Sequence, residues 1–145
     1  MTDRAREEVV GLHEFFVQWL TGTLDDSDAV FRRFSDAVHP AFSMIVPSGE
    51  MLERAAVMAS LRAAHATVDD PFAIEIREVV ARTVGVDAAL VTYEEWHFAG
   101  DRTESGRVST AVFVPVREAI NGVQWLHLHE TFQQVGSADA QPSGG

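Results

Sequence analysis

The stretch Gly122–Val135, GVQWLHLHETFQQV, sets Trp125, His127, His129 and Thr131 at every second position. A period of two belongs to a β-strand, whose successive side chains point to opposite faces. Leu126, Leu128, Glu130 and Phe132 then share the other face. One face is polar and aromatic and the other mostly apolar, so the strand divides a core from a second environment, either a cavity or a partner.

Working backward from this strand, Asn121-Gly122 is a two-residue hairpin signal. It pairs Ile120 with Val123, and so sets Val116 opposite His127 and Val114 opposite His129. The preceding segments FAIEIREVVARTV, DAALVTYEEWHFAG and RVSTAVFVPVRE are rich in β-branched and aromatic residues. Four long strands in an antiparallel meander are expected from Pro71 onward. Ahead of them, Val9, Leu12, Phe16, Trp19 and Leu20 form one helical stripe between about Asp3 and Gly22, with Glu7, Glu8 and Glu14 elsewhere. A second, shorter helix begins at the N-cap candidates Asp25, Asp26 and Ser27 and stops before Pro40. AFSMIVPSG reads as a short strand closed by a Pro-Ser-Gly turn, and a third helix spans about Glu50 to His65. The tail GSADAQPSGG has nothing to bury and is expected to be disordered over 136–145, leaving 1–135 as a single domain.

Three helices beside an antiparallel sheet make an α+β layer architecture. A strongly curved sheet and its helix layer enclose a cone with an open end, which suits a small, largely apolar ligand. Apolar residues on both faces of the last strand call for a cover on the second face, and a homodimer formed sheet to sheet supplies one.

Composition narrows the function. With 22 acidic and 11 basic residues the net charge is −11, which opposes nucleic acid and anionic membranes as partners. The basic residues are all Arg, which removes lysine nucleophiles and Schiff bases, and the lack of Cys removes thiolate chemistry. No apolar run approaches a bilayer span and the N-terminus lacks the order of a signal peptide, so a cytoplasmic protein is expected. No cofactor motif is present.

The order of elements, the segment HPAFSMIVPSGEMLERAAVMASLRAAH and the final VQWLHLHETF resemble the NTF2-like superfamily, specifically its SnoaL-like and DUF4440-type members, over about Glu7 to Val135. The resemblance implies an NTF2-like (cystatin-like) cone: three N-terminal helices packed on a strongly curved antiparallel sheet. It implies no single activity, because the fold houses isomerases, dehydratases, cyclases, hydrolases and binding modules. Steroid isomerases of this fold place a carboxylate base before the Pro-x-Gly turn and a tyrosine on the first helix. The matching positions here hold Val46, ahead of Pro47-Ser48-Gly49, and Phe15-Phe16. Neither transfers a proton, so that mechanism is not carried over.

The candidate catalytic pair is His129 with Glu94, the carboxylate orienting the imidazole as a general base; the alternative is a histidine buried for structural reasons. The register of the penultimate hairpin puts Leu90, Thr92, Glu94 and Trp96 on the face of His129, whereas a one-residue slip substitutes Val91, Tyr93, Glu95 and His97. Ligand-binding candidates are Trp19, His39, Phe42, Thr92, Tyr93, Trp96, Trp125, His127 and Thr131. His39 ahead of Pro40 has a second reading as a helix C-cap, and the aromatics a second reading as plain core. His127-x-His129 has the spacing of a metal pair, but a third ligand would have to come from Glu94, His97 or His39, and no metal is expected. His13 and His65 read as surface or packing residues. Two functions follow: a binding module, or an enzyme of lyase or isomerase type in which His129 moves a proton on a small hydrophobic carbonyl or polyketide-like substrate.

Overall fold

The computed structural model describes residues 1–134. The elements run α1 (Thr2–Leu20), α2 (Asp28–Ser35), β1 (Val38–Ile45), β2 (Met51–Glu53), α3 (Arg54–Ala63), β3 (Ala73–Val84), β4 (Ala88–Ala99), β5 (Arg102–Pro115) and β6 (Val123–Gln133). The sheet has six strands in the order β2-β1-β6-β5-β4-β3. The expected tail, 136–145, lies outside the described residues.

Helix α1 buries Ala5, Val9, Leu12, Phe15 and Trp19 at helical spacing, and the same stripe carries Glu8 and His13. Glu8 was expected off this stripe, and His13 takes the packing alternative of its surface-or-packing reading. At α2, the Ser27 side chain caps the helix by accepting from the Val30 amide at 3.1 Å. The helix ends at Ser35, so His39 and Pro40 belong to β1 and not to a helix terminus. Pro40 sits between the pairs Val38↔Trp125 and Ser43↔His127, where the ladder between β1 and β6 is interrupted and the missing amide costs nothing. That ladder is parallel, the exception in an otherwise antiparallel sheet. The third helix starts at Arg54 because Met51, Leu52 and Glu53 are drawn into pairing with Ile45, Met44 and Ser43.

Two irregularities decide which side chains face the helices. The final hairpin pairs Pro115 with Val123 across a loop held by Val116 N–H to Gly122 C=O at 2.9 Å, so Asn121-Gly122 is the end of a longer loop and not a two-residue turn. His127 consequently pairs with Val112, and His129 with Thr110. Within β6, Trp125 opposes Phe113 and His127 opposes Val112, which leaves Leu126 as an extra residue. Such a bulge reverses the alternation. Trp125 therefore faces the helices, while His127, His129 and Thr131 face away, and Leu128 and Glu130 take the inner positions.

The core lies between α1, α2 and the inner sheet face, where Val9, Leu12, Trp19, Phe34, Val91, Ala111, Phe113 and Trp125 are buried. Full burial of apolar side chains of this size contributes about 1.5–3 kcal/mol each. No helix among the described residues is long and apolar enough to cross a membrane.

Candidate functional site

The packing is incomplete at the open end of the curved sheet, where a cavity of about 290 Å³ lies between the helices and the strands. Its walls are apolar: Phe16 from α1, Phe34 from α2, Phe42 and Met44 from β1, Leu61 from α3 and Trp125 from β6. Its polar groups come from five elements, His13 on α1, Ser60 on α3, Glu95 and His97 on β4, Arg107 on β5 and Glu130 on β6. Strand alternation explains the strand residues, since Glu95 and His97 are two apart, and Arg107 and Glu130 enter from neighbouring strands.

His13 and the strand residues form one network. Glu95 bridges two imidazoles: Oε1 lies 3.0 Å from His13 Nε2 and Oε2 lies 2.5 Å from His97 Nε2. His13 Nδ1 is 2.7 Å from the Val9 carbonyl oxygen. Arg107 Nη1 donates to Glu130 Oε1 at 3.1 Å. Burial opposes ionisation of Glu95, but the charge of His13, hydrogen bonds from both histidines and the charge of Arg107 outweigh it and hold the carboxyl far below its usual range. Burial likewise pulls His13 down, and Glu95 with the Val9 carbonyl more than restores it, so its pKa is raised. Glu130 goes the opposite way from Glu95: burial and the neighbouring Glu95 charge raise it, although Arg107 opposes them. Two carboxylates in one cavity are thus driven apart in acidity, a pattern found where acid and base roles divide. Tyr93 stands behind His13 with ring centroids 5.6 Å apart, and its buried hydroxyl is pushed well above its usual pKa by burial and by Glu95 and Glu130.

A third buried carboxylate, Glu8, shapes the site from behind. Glu8 receives both terminal nitrogens of Arg33 at 3.1 Å, the Asn121 amide at 2.9 Å and the Trp125 indole N–H at 2.9 Å. Those four donors fix the indole that walls the cavity, and they join α1, α2 and the final hairpin loop. They leave no carboxylate lone pair obviously free for a ligand.

The residues expected from the sequence divide between the two faces. Phe42 and Trp125 line the cavity. Trp19 is buried in the core, stacked on Phe15 at 5.8 Å and donating its indole N–H to the Leu61 carbonyl at 2.8 Å. Tyr93 is buried on the inner side, away from the cavity lining. Thr92, Glu94 and Trp96 do share a face with His127, His129 and Thr131, through the rows Thr92↔Thr110↔His129 and Glu94↔Val108↔Thr131. That face is the one turned away from the helices, because the bulge at Leu126 separates Trp125 from the histidines. His129 is exposed, and the expected His129 and Glu94 pair does not reach the cone. Glu94 instead accepts from Trp96 Nε1 at 3.0 Å, and His127 Nδ1 lies 2.9 Å from Ser43 Oγ. His39 accepts from the Ala41 amide at 3.0 Å, a local contact within β1. Among the described residues, no three His, Asp or Glu side chains converge as metal ligands would.

Sequence reasoning missed His13, Arg107 and Glu130 as site residues; it held Glu95 as the alternative to Glu94 in a slipped register, and His97 in that register and as a possible third metal ligand. The usable signal was Glu130, a lone charge on the apolar face of the last strand, since a charged residue on a core face is the informative anomaly. Val46 and Phe16 line the cavity as apolar walls, while Phe15 is buried in the core.

Comparison with known proteins supplies a family. The model for the sucrose-6-phosphate phosphohydrolase C-terminal family matches residues 5–134. Sucrose-phosphatase 1 of Nicotiana tabacum is 25% identical over 137 residues, covering 94% of this chain and 32% of its own length. The chain thus spans about a third of that relative. Among solved structures, an NTF2-like protein of unknown function from Pseudomonas aeruginosa is 28% identical with a TM-score of 0.78, covering 90% of this chain and 99% of its own. The S. rosetta CaMKII hub shares the fold at 15% identity and a TM-score of 0.70, covering 91% of this chain and 96% of its own.

Proposed function

Because the chain belongs to the sucrose-6-phosphate phosphohydrolase C-terminal family and has the NTF2-like fold, we propose that it is a small-molecule-binding domain that holds a compact, largely apolar ligand in the cone. The observation that carries this reading is the cavity itself, about 290 Å³ of apolar wall closing on one polar floor. The phosphatase activity in the name of the tobacco relative is not assigned to this chain, which matches 32% of that protein. Sucrose is a poor fit, because each hydroxyl buried against apolar wall without a partner costs about 1–3 kcal/mol.

A second reading, acid-base chemistry of lyase or isomerase type, is favoured by one feature. His97 and Glu95 are the cavity histidine with a carboxylate behind it that such chemistry requires, in place of His129 and Glu94. The outer sheet face, with Trp96, Val80, Val108 and Val112, is proposed to pair with a second copy, a use of the fold that the CaMKII hub neighbour makes reasonable.

Native mass spectrometry tests the main reading. A dimer that retains a co-purified apolar compound, displaced by Leu61→Trp at the cavity wall, is the expected result. Protein free of ligand that also fails to take up any compound from a small aromatic and alicyclic set would overturn it, as would preferential binding of sucrose.

A further inference from the structure

The two histidines of the floor differ in what their nitrogens meet, and that difference fixes their protons. His13 faces an acceptor on each side, the Val9 carbonyl oxygen at 2.7 Å and Glu95 Oε1 at 3.0 Å. A carbonyl oxygen and a carboxylate accept and do not donate, so both nitrogens of His13 carry hydrogen and the ring is an imidazolium. Glu95, left with Oε2, meets His97 Nε2 at 2.5 Å and requires a hydrogen there as well. In its neutral form His97 is therefore held as the Nε2–H tautomer. Its Nδ1 is a lone pair without a hydrogen-bond partner among the described residues, on a side chain that lines the cavity.

The other floor charges are already matched. His13 pairs with Glu95, and Arg107 pairs through Nη1 with Glu130 at 3.1 Å, while the buried Arg107 Nε has no hydrogen-bond partner among the described residues. No charge is left over for an ionic ligand, and the −11 charge of the chain works against an anion. The walls are apolar and include the rings of Phe16, Phe42 and Trp125. A cavity of about 150 Å³ lined by apolar side chains takes up benzene, so about 290 Å³ leaves room for a second ring.

The geometry points to His97 Nδ1 as the atom that selects the ligand: the cone takes an uncharged one- or two-ring molecule whose single acidic O–H, phenolic or enolic, donates to that nitrogen. This rests on the cone being a binding pocket and adds to it a ligand class and the residue that reads it. Glu95 acts as a positioning residue, setting the tautomer through His97 Nε2, with His13 holding Glu95 in turn.

The test compares 2-naphthol with 2-methylnaphthalene, which has the same shape without the hydroxyl, by calorimetry on the full chain and on His97→Phe. The expected result is a preference for 2-naphthol of about tenfold or more, abolished in His97→Phe while 2-methylnaphthalene binds both proteins alike. Equal affinity of the native chain for the two compounds overturns the selection by His97 and leaves the pocket standing. Binding of neither compound overturns the pocket reading together with this one. Nitrogen-15 NMR of the native chain supplies a readout that does not depend on a variant folding. His97 with hydrogen on Nε2 and a lone pair on Nδ1 supports the proposal, and the reverse tautomer overturns it. In Glu95→Gln the tautomer preference of His97 is expected to weaken, a change that loss of packing alone does not produce.

Discussion

The indole N–H of Trp125 donates to the buried carboxylate of Glu8 at 2.9 Å, a bond between the first helix and the last strand. The other oxygen and the remaining lone pairs of Glu8 are taken by Arg33 and Asn121. One acidic side chain thus ties the two ends of the fold and holds the ring that walls the cavity.

Replacing Glu8 by Ala leaves a guanidinium, an amide and an indole without their acceptor, with Glu8 itself only 1% exposed. Breaking a buried pair in this way costs about 3–5 kcal/mol. Trp125→Phe removes one donor and part of the packing and is expected to cost less than Glu8→Ala. Urea denaturation of the two variants checks the order; a Glu8→Ala protein as stable as the parent would show that the network contributes nothing net.

Stability should fall as pH rises from the weakly acidic range. His13 keeps its proton above its ordinary 6.5, so the stabilisation from its pair with Glu95 is complete below pH 6.5 and is lost as pH climbs through the raised value. Glu130, raised from 4.5, holds its proton more tightly in the folded chain, and its ionisation above pH 4.5 subtracts from stability in the same direction. Glu95, lowered from 4.5, contributes stability that is present above pH 4.5 and lost only in acid. Melting temperature measured from pH 6 to 9 is expected to decline, and a steady rise across that interval would contradict the assignment.

His129→Ala is expected to change stability by less than about 0.5 kcal/mol and to leave ligand uptake by the cone unaltered, because the side chain is exposed on the outer face. Paired measurements on His129→Ala and His97→Ala read the face assignment directly. If His129→Ala alone empties the cone, the bulge at Leu126 is wrongly placed.

Gly106→Ala should destabilise the sheet by about 1–3 kcal/mol through overpacking. A methyl at Gly106 runs into the six-membered ring of Trp96, its pairing partner on β4. That indole has little freedom to move, since Arg77 lies 5.4 Å from the ring centroid and Glu94 accepts its N–H. Combining Gly106→Ala with Trp96→Leu should recover most of the loss, and failure to recover it would place the clash elsewhere.

By itself the sequence determined the layer architecture. The stripe Val9, Leu12, Trp19 has helical spacing, and the β-branched runs after Pro71 have the period of strands; both are local properties that any tertiary arrangement must respect. The sequence offered Thr92, Glu94 and Trp96 as face-mates of His129 in one of two registers, and the pairing of β4, β5 and β6 selects that one. What it did not contain is the side of the sheet on which that group lies. One extra residue at Leu126, accommodated by pairing with β5, reverses the alternation and moves His127 and His129 outward while Trp125 stays within. The floor of the cone was hidden for a related reason. His13 meets Glu95 across 82 residues and Glu8 meets Trp125 across 117. Whether a polar side chain on a helix stripe is solvated or buried against a carboxylate is decided by the packing of distant elements, which leaves no local periodicity to read.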